Sequence, residues 1–533
     1  MRKALLATLA LPALCAAQQL MPGLGNTHHA VTTKNPEAQK YFDQGLGLIY
    51  AFNHEEAVRS FTKAAQLDPN CAMAYWGIAV AVGPNINDPS DPERMKQALA
   101  AAAKAKAAAA KGATPEERAF IDAIGRRYSA DPKADLRKAA VDYKNAMGEI
   151  VKRYPNDLDA ATLYAESAMD LRPWQLWTPD GKPAEGTLEI EATLESVLKR
   201  DPNHLGANHY YIHAMEASGH PEKALASAER IKTLAPAAGH LVHMPAHAYI
   251  RTGDYHGASV ANEKAIAADQ AYIQKYHVDD IYTMMYYPHN LQFLAVSASI
   301  EGRLATSKKA ANDLIAQVGP HVKMMQNMLE GWMPTPVEIL VRFRQWNDLL
   351  KLPAPDKTHH AETAMWNFGR GMAFAATGKR AEADAERRAM DAAIIQVPKD
   401  YMFGLNTASA VLTIAEKTLD ARMAEAKGDR KTAIALLQQT VQLEDALAYD
   451  EPPSWYIPTR ESLGRVLLAN GDAASAEKVF RAELALHANS GRALFGLAES
   501  LRKQGKTADA SATDVKFAAA WKYADVKLRL EDL

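Results

Sequence analysis

Histidines are concentrated in residues 205–290 of this chain. His209 and His213 are four residues apart, and His243 and His247 repeat that step 34 residues later. Because residues three or four apart share one face of an α-helix, each pair would present two imidazoles on the same side. Imidazole nitrogens are ligands for several transition metals, so the spacing predicts a metal site.

Further residues extend this predicted site. His240 precedes His243 by three residues, Glu216 follows His213 by three, and His289 comes one segment later. Glu216 could serve as a ligand, as a group that orients a ligand, or as a general base. The predicted metal ligands are His209, His213, His240, His243, His247 and His289. The further residues predicted to contact a ligand bound there are Glu166, Trp174, Trp177, Tyr210, Tyr249, Tyr286 and Asn290.

The metal and the reaction stay open at this point. Imidazole ligation suits copper, iron or zinc, and the HExxH pattern of zinc peptidases is missing, since Tyr210 follows His209. The alternative is a groove whose histidines bind a polar or anionic ligand or respond to pH. Pro245, between His243 and His247, predicts that the helix either begins near Met244 or is kinked there.

Composition excludes some functions. The 533 residues carry a formal net charge of −2, which gives no electrostatic reason to expect nucleic acid or an anionic membrane as a partner. Residues 1–17 have a basic start, an apolar run and small residues at the end, which predicts a signal peptide cut after Ala17. We therefore expect an exported protein, periplasmic or extracellular. No later stretch is long and apolar enough to span a bilayer.

Helix pairs of a fixed length are expected to position the histidines. With Ala38 as position 1, Gly45 falls at position 8, Ala57 at 20, Phe61 at 24 and Pro69 at 32. Small residues let two antiparallel helices approach, an aromatic ring fills the space between them, and proline ends the second helix. This segment resembles a tetratricopeptide repeat (TPR). Other copies begin at Leu205, Gly239, Ile457 and Gly491, with looser ones at 364–397 and 414–447.

The resemblance to the TPR family implies an all-α solenoid in which positions 5 and 9 of the first helix line a concave, ligand-binding groove. His209 and His213 occupy positions 5 and 9 of one repeat, and His243 and His247 occupy them in the next. His240 is at position 2 of that repeat. His289 takes position 2 of the following repeat when the turn glycines, Gly253 and Gly302, are aligned.

Segments between the repeats suggest a domain division. We predict a tail at 18–35, one solenoid at 36–318, a connecting segment at 319–363 and a second solenoid at 364–533. The tail contains His28 and His29 and is predicted to be disordered, the alternative being that it adds ligands. An alanine–lysine helix within 84–115 is expected to be solvated, and the tryptophan-rich loop 171–188 is a candidate lid. Residues 449–464 could cap the groove or form a rigid joint.

Two functions follow as hypotheses. In the first, the chain is an exported TPR protein that binds a transition metal on its concave face. One version of this hypothesis is an oxidative or hydrolytic metalloenzyme that acts on a small or peptidic substrate. In the second, it is a non-catalytic scaffold that grips a peptide or protein partner in the groove.

Overall fold

A computed structural model describes residues 18–88, 91–131 and 133–533. The predicted signal peptide, 1–17, lies outside the described residues. The only two strands in the described part are β1 (Met402–Phe403) and β2 (Asn406–Thr407), which pair antiparallel. The helices form two compact units. The first runs to Tyr154, except that residues 85–88 belong to the second unit, which continues from Pro155 to Leu533.

The first unit is built from consecutive helices that pack in pairs. Asn53 caps the second of them by accepting a hydrogen bond from the amide of Glu56, and Thr114 forms a capping box with Glu117 at the fifth. The helices are α1 (Pro36–Ile49), α2 (His54–Leu67), α3 (Ala72–Ala81), α4 (Pro92–Ala109), α5 (Pro115–Arg127) and α6 (Leu136–Arg153).

The second unit continues the helix pairs to the end of the chain. Its helices are α7 (Leu158–Met169), α8 (Thr187–Arg200), α9 (Leu205–Met215), α10 (Leu225–Leu234), α11 (Gly239–His243), α12 (Pro245–Thr252), α13 (Tyr255–Tyr276), α14 (Tyr287–Ile300), α15 (Leu304–Val318), α16 (Gln326–Leu329), α17 (Thr335–Arg342), α18 (Trp346–Leu349), α19 (His360–Ala376), α20 (Arg380–Ile394), α21 (Ala408–Ala426), α22 (Arg430–Asp445), α23 (Thr459–Ala469), α24 (Ala473–Leu486), α25 (Gly491–Lys503) and α26 (Thr507–Ala520). Short 3₁₀ helices occur at Pro221–Ala224, Gly319–Met324, Glu330–Trp332 and Leu530–Asp532, and a π-helical turn at Tyr282–Tyr286.

One packing contact recurs in both units. A Cβ atom on Gly45 would lie 2.7 Å from the ring of Phe61, and one on Gly77 would lie 2.4 Å from the same ring. The ring therefore fills the space that two glycines, 32 residues apart, leave open. The ring of Phe480 is held in the same way between Gly464 and Gly496, which are also 32 residues apart. The fold is an all-α solenoid of TPR-like helix pairs, as predicted.

One prediction about the first unit is wrong and another holds for one face only. The tail is ordered: Tyr41 donates a hydrogen bond to the carbonyl of Gln18 (2.8 Å), and Gln44 accepts one from the amide of Met21 (2.6 Å). Helix α4 is solvated along its lysine face, as predicted, but its alanine face is buried and packs against α3. Alanines on one face allow two helices to approach closely, while the lysines stay on the outer face.

The predicted connecting segment, 319–363, lies inside the second unit as short helices and turns. The predicted division into two solenoids on either side of it stays a prediction. Among the described residues, no helix combines the length and the apolar character needed to cross a membrane.

Candidate metal centre

Helix α9 carries the first histidine pair. It begins after Pro202, and the side chain of His204 caps it by accepting a hydrogen bond from the amide of Ala207 at 3.2 Å. His209 and His213 are buried on this helix, at 0% and 4% exposure. Glu216 follows at the C-cap and is fully buried.

The second pair lies on either side of a helix break. Helix α11 ends at His243 and α12 begins at Pro245, so the helix restarts at the proline instead of passing through it. Proline has no amide hydrogen and suits the first turn of a helix, which explains the break. The pair still converges, because the Nε2 atoms of His243 and His247 are 2.8 Å apart.

The last histidine follows an irregular turn. The π-helical turn Tyr282–Tyr286 leads into α14, where Pro288 occupies the first turn and His289 comes next. The Nε2 atom of His289 lies 3.1 Å from that of His243. Turns of π-helix are frequent at functional sites because the extra residue redirects the following side chains.

The structure groups the six histidines into two sets of three. The nitrogen atoms that each set offers lie within 4.8 Å of one another. We call them the first triad (His209, His213 and His240) and the second triad (His243, His247 and His289). Each triad combines repeat positions 5 and 9 of one helix pair with position 2 of the next. The TPR register therefore relates the triads as two copies of one arrangement.

Distances within the triads suit a bound ion. Nε2 of His209 lies 3.0 Å from Nε2 of His240 in the first triad, and the corresponding distances in the second triad are 2.8 and 3.1 Å. A tetrahedral ion with bonds of about 2.0–2.1 Å holds its ligand nitrogens about 3.3 Å apart. A few tenths of an ångström of movement would bring the imidazoles to that spacing.

Acceptors on the far side of the rings orient three of the histidines. The carboxylate of Glu216 lies 2.7 Å from Nδ1 of His213 through Oε1 and 2.5 Å from Nδ1 of His247 through Oε2. Oδ1 of Asn262 lies 2.8 Å from Nδ1 of His243, while its amide group donates to the carbonyl of Ala258. A carboxylate oxygen and an amide oxygen can only accept, so these contacts place the ring proton on Nδ1 and direct Nε2 toward the triads as the ligand atom.

Burial favours the neutral form, which binds metals, in four of the six histidines. It lowers the pKa of His213, and it lowers the pKa values of His240 and His243 well below the usual range, with neighbouring imidazoles adding to the effect. Burial also lowers the pKa of His289 to about 3. Burial by itself would raise the pKa of Glu216, but its histidine partners outweigh that effect and lower the pKa below its usual value.

Aromatic side chains wall the two triads. The ring of Phe293 lies 4.9 Å from that of His243 and 5.1 Å from that of His247, both edge-on. Tyr286 approaches His240 in the same way at 5.1 Å. These contacts limit how far the imidazoles can turn, which favours a preformed site.

A buried polar group supports the helices that carry His240 and His289. Asp269 accepts hydrogen bonds from the hydroxyl of Tyr282 (2.8 Å) and the amide of Asn290 (2.7 Å). The Tyr282 hydroxyl in turn accepts a hydrogen bond from the backbone amide of His240 at 3.2 Å. Burial raises the pKa of Asp269 to about 7. Asn290 therefore belongs to this supporting network.

The remaining predicted residues divide into two groups. Trp174 lies edge-on to His213 with ring centres 5.5 Å apart, and Trp177 donates from Nε1 to the carbonyl of Ala214 at 2.6 Å. The loop 171–188 thus lies against α9, and its tryptophans border a small cleft that reaches His213. Tyr210 is buried beside His209, with ring centres 5.4 Å apart.

Tyr249, by contrast, donates its hydroxyl to Glu229. Glu166 is buried on α7. In the first unit, Nδ1 of His28 lies 2.8 Å from Asp43, and the ring of His29 lies 5.9 Å from that of Phe120. Neither histidine belongs to one of the two triads.

Sequence reasoning missed two polar partners of the site. Asn262 stands at position 24 of the repeat that begins at Gly239, where the first repeat has Phe61. A polar residue at a position normally filled by an aromatic ring is a signal that could have revealed Asn262.

Tyr449 is the second missed partner. It lies 233 residues after Glu216 in the chain and donates its hydroxyl to Oε2 of Glu216 at 2.9 Å. No local pattern predicts that contact, although a cap over the groove is one of the two interpretations of residues 449–464.

Comparison with known proteins adds little beyond the fold. No family model matches the sequence, and no curated protein matches it. Among solved structures, a human IFIT1 dimer with m7Gppp-AAAA is 12% identical with a TM-score of 0.33, over 92% of this chain and 91% of that chain. The TPR domain of P58(IPK) is 12% identical with a TM-score of 0.23, over 88% and 99%. Yeast Tom70 is 11% identical with a TM-score of 0.30, over 90% of each chain. At such identities and scores the likeness carries no argument about function.

Proposed function

We propose that this chain is a transition-metal-binding protein in which a TPR-like scaffold holds the metal at the two histidine triads. One contact carries the proposal. His243 and His247 both give their Nδ1 protons to acceptors, yet their Nε2 atoms lie 2.8 Å apart. With their Nδ1 positions occupied in this way, the two rings turn their Nε2 atoms toward one point, which is how two imidazole ligands of a single cation are arranged.

Burial favours a metal ion over a peptide as the ligand here. Five of the six histidines are at most 4% exposed, and His289 is only partly exposed. An extended peptide needs an open groove with accessible side chains along it. Tyr449 also covers Glu216 from the far end of the chain. A small ion and a small co-ligand fit this enclosure, whereas a peptide backbone does not.

The proposed roles follow from the contacts. The Nε2 atoms of the two triads are the ligand atoms, and three imidazoles per ion leave a coordination position open for water or another small molecule. Glu216 already accepts hydrogen bonds from His213, His247 and Tyr449. It therefore acts as the group that orients the ligands, and we assign it no role as a general base.

Elemental analysis of the protein tests this proposal. Protein purified without a nickel column should carry close to stoichiometric copper, iron or zinc. The variant His213→Ala/His247→Ala removes one ligand from each triad and should lose that metal. The matched control His220→Ala/His277→Asn replaces two exposed histidines and should keep it. Metal-free wild-type protein that is folded by circular dichroism, and stays metal-free after incubation with each ion, contradicts the proposal.

We also infer that the chain is exported. The basic residues, apolar run and small residues of 1–17 support cleavage after Ala17. Intact-mass measurement of protein recovered from the periplasm or medium of a bacterial expression host should give a mature chain that begins at Gln18. Recovery only inside the cytoplasm, with residues 1–17 retained, contradicts the inference.

A further inference from the structure

The two triads are near-copies placed side by side. In each, an i,i+4 pair on one helix is completed by a histidine at position 2 of the next helix pair. Ring centres of His213 and His247, which belong to different triads, are 5.4 Å apart, and those of His240 and His243 are 5.8 Å apart. The triads therefore share a boundary formed by their own ligands, and ions bound in them would be close neighbours.

A single carboxylate joins the two triads. Oε1 of Glu216 accepts from His213 of the first triad, and Oε2 accepts from His247 of the second. The same side chain thus sets the orientation of one ligand of each ion. Two-metal centres need such fixed spacing, because a molecule that bridges the ions must reach both at once.

The charge of the pocket limits which ions fit. Six neutral imidazoles donate to the ions, and Glu216 is the one carboxylate that the described contacts place on triad imidazoles. Two divalent ions would bring four positive charges into a buried pocket against this one negative charge, and burying unbalanced charge is costly. Two cuprous ions bring only two positive charges, and three imidazoles complete a three-coordinate Cu(I) site.

We propose, on the basis of the metal-binding function above, that the two triads form one paired copper centre that binds dioxygen between two Cu(I) ions. Each Cu(I) gives one electron and becomes Cu(II), and dioxygen takes both electrons and becomes peroxide. The O–O bond order falls from two to one, and no proton or further reductant is needed. The rings of Phe293 and Tyr286 lie edge-on to His243 and His240, so aromatic side chains border both triads.

The cleft beside the loop 171–188 is the proposed route by which dioxygen reaches the paired copper centre. Met169, Trp174, Leu176 and Trp177 border it together with Arg172, and it reaches His213 of the first triad. Apart from the guanidinium group of Arg172 the bordering side chains are largely apolar, which suits the entry of an uncharged diatomic molecule. The loop that the sequence marked as a lid thus borders the entrance to the pair.

Anaerobic loading with a cuprous salt tests the pair. Metal-free protein is incubated with tetrakis(acetonitrile)copper(I), freed of excess reagent and analysed for copper. We expect two copper ions per chain. On admission of oxygen, an oxygen electrode should register one dioxygen molecule taken up per two copper ions. The electron paramagnetic resonance signal should account for less than about a tenth of the total copper, because two Cu(II) ions that share a bridging ligand couple their spins.

Single-ligand variants show whether both triads take part. His289→Ala removes a ligand from the second triad alone, and His209→Ala removes one from the first. Each variant should bind one copper ion and, once oxidised, give a full signal for isolated Cu(II), whereas the exposed control His220→Ala should behave as wild type. The two variants change different triads. If one of them fails to fold, the other still tests whether both triads bind copper.

Three results overturn the pair: one copper ion per chain in the wild type, a resonance signal equal to two isolated Cu(II) ions, or no oxygen uptake by protein that holds two copper ions. Any of these leaves the proposed function standing, because the protein still binds a transition metal. Failure to bind copper, iron or zinc at all contradicts the proposed function itself. The two failures are therefore distinguishable.

Discussion

The Nδ1 atom of His243 lies 2.8 Å from Oδ1 of Asn262, a side chain on the second helix of the same pair. This contact holds the imidazole with its Nε2 atom towards His247 and His289. It connects the packing of α11 and α13 directly to the geometry of the second triad. The predictions below begin from this bond.

Replacing Asn262 with leucine should weaken metal binding while leaving the fold in place. The change removes the acceptor that keeps the His243 proton on Nδ1, and loss of such a partner typically lowers metal affinity about 10–100-fold. Competition with a chelator of known affinity measures the effect, with circular dichroism as the check on folding. The control Asn203→Leu, at an exposed position, should keep wild-type affinity. Equal affinity in the two variants would show that Asn262 does not position the ligand.

Replacing Tyr449 with phenylalanine should destabilise the second unit. The hydroxyl donates to the buried, ionised carboxylate of Glu216 at 2.9 Å, and hydrogen bonds to charged groups contribute about 1.5–3 kcal/mol. Denaturant unfolding should show a loss of that size in the free energy of unfolding. Tyr523→Phe, at a residue with 45% exposure, should change it by less than about 0.5 kcal/mol. A Tyr449 variant as stable as this control contradicts the assigned contact.

Replacing Gly239 with alanine should disturb the supporting network around Asp269. The new Cβ atom would lie 1.8 Å from Oδ1 of Asp269, so the carboxyl group must move away from Tyr282 and Asn290. Forced overpacking of a core typically costs about 1–3 kcal/mol, and we expect the upper part of that range. Thermal unfolding measures it. Gly319→Ala is the control, because its Cβ atom would meet nothing within 4 Å. Equal melting temperatures of the Gly239→Ala and Gly319→Ala variants would contradict the predicted overpacking.

Glu338 should make the stability of the protein fall as pH rises. Burial raises the pKa of this carboxyl group to about 8, whereas in the unfolded chain it is near 4.5. Between these values the folded state holds a proton that the unfolded state lacks. Its contribution is therefore complete below about pH 4.5, declines by about 1.4 kcal/mol per pH unit, and is lost above about pH 8.

The variant Glu338→Gln isolates this effect, because glutamine has no proton to lose. Denaturant unfolding of both proteins from pH 5 to pH 9 should show the wild type losing stability relative to the variant up to about pH 8 and running parallel to it above. Glu222→Gln, at an exposed position, serves as the control and should run parallel to wild type throughout. A difference between wild type and Glu338→Gln that does not change with pH would contradict the predicted shift.

The sequence by itself determined that the chain forms helix pairs and which histidines are candidate metal ligands. Small residues and aromatic rings at fixed repeat positions are local features, and the contact of Phe61 with Gly45 is an example that spacing alone predicts. The steps of four residues between His209 and His213 and between His243 and His247 likewise follow from helix geometry. These features depend on neighbours within one or two repeats, so sequence reasoning could reach them.

Only the tertiary structure decided how the six histidines group into two triads and which side chains orient them. Periodicity places imidazoles on helix faces, but the packing between successive helix pairs determines which faces meet. That packing joins His240 to the pair on α9, and His289 to His243 and His247. The contact of Tyr449 with Glu216 spans 233 residues and depends on how many helix pairs intervene and how each one turns. Such small rotations accumulate along a solenoid and are set by side-chain packing at every interface, which no single stretch of sequence encodes.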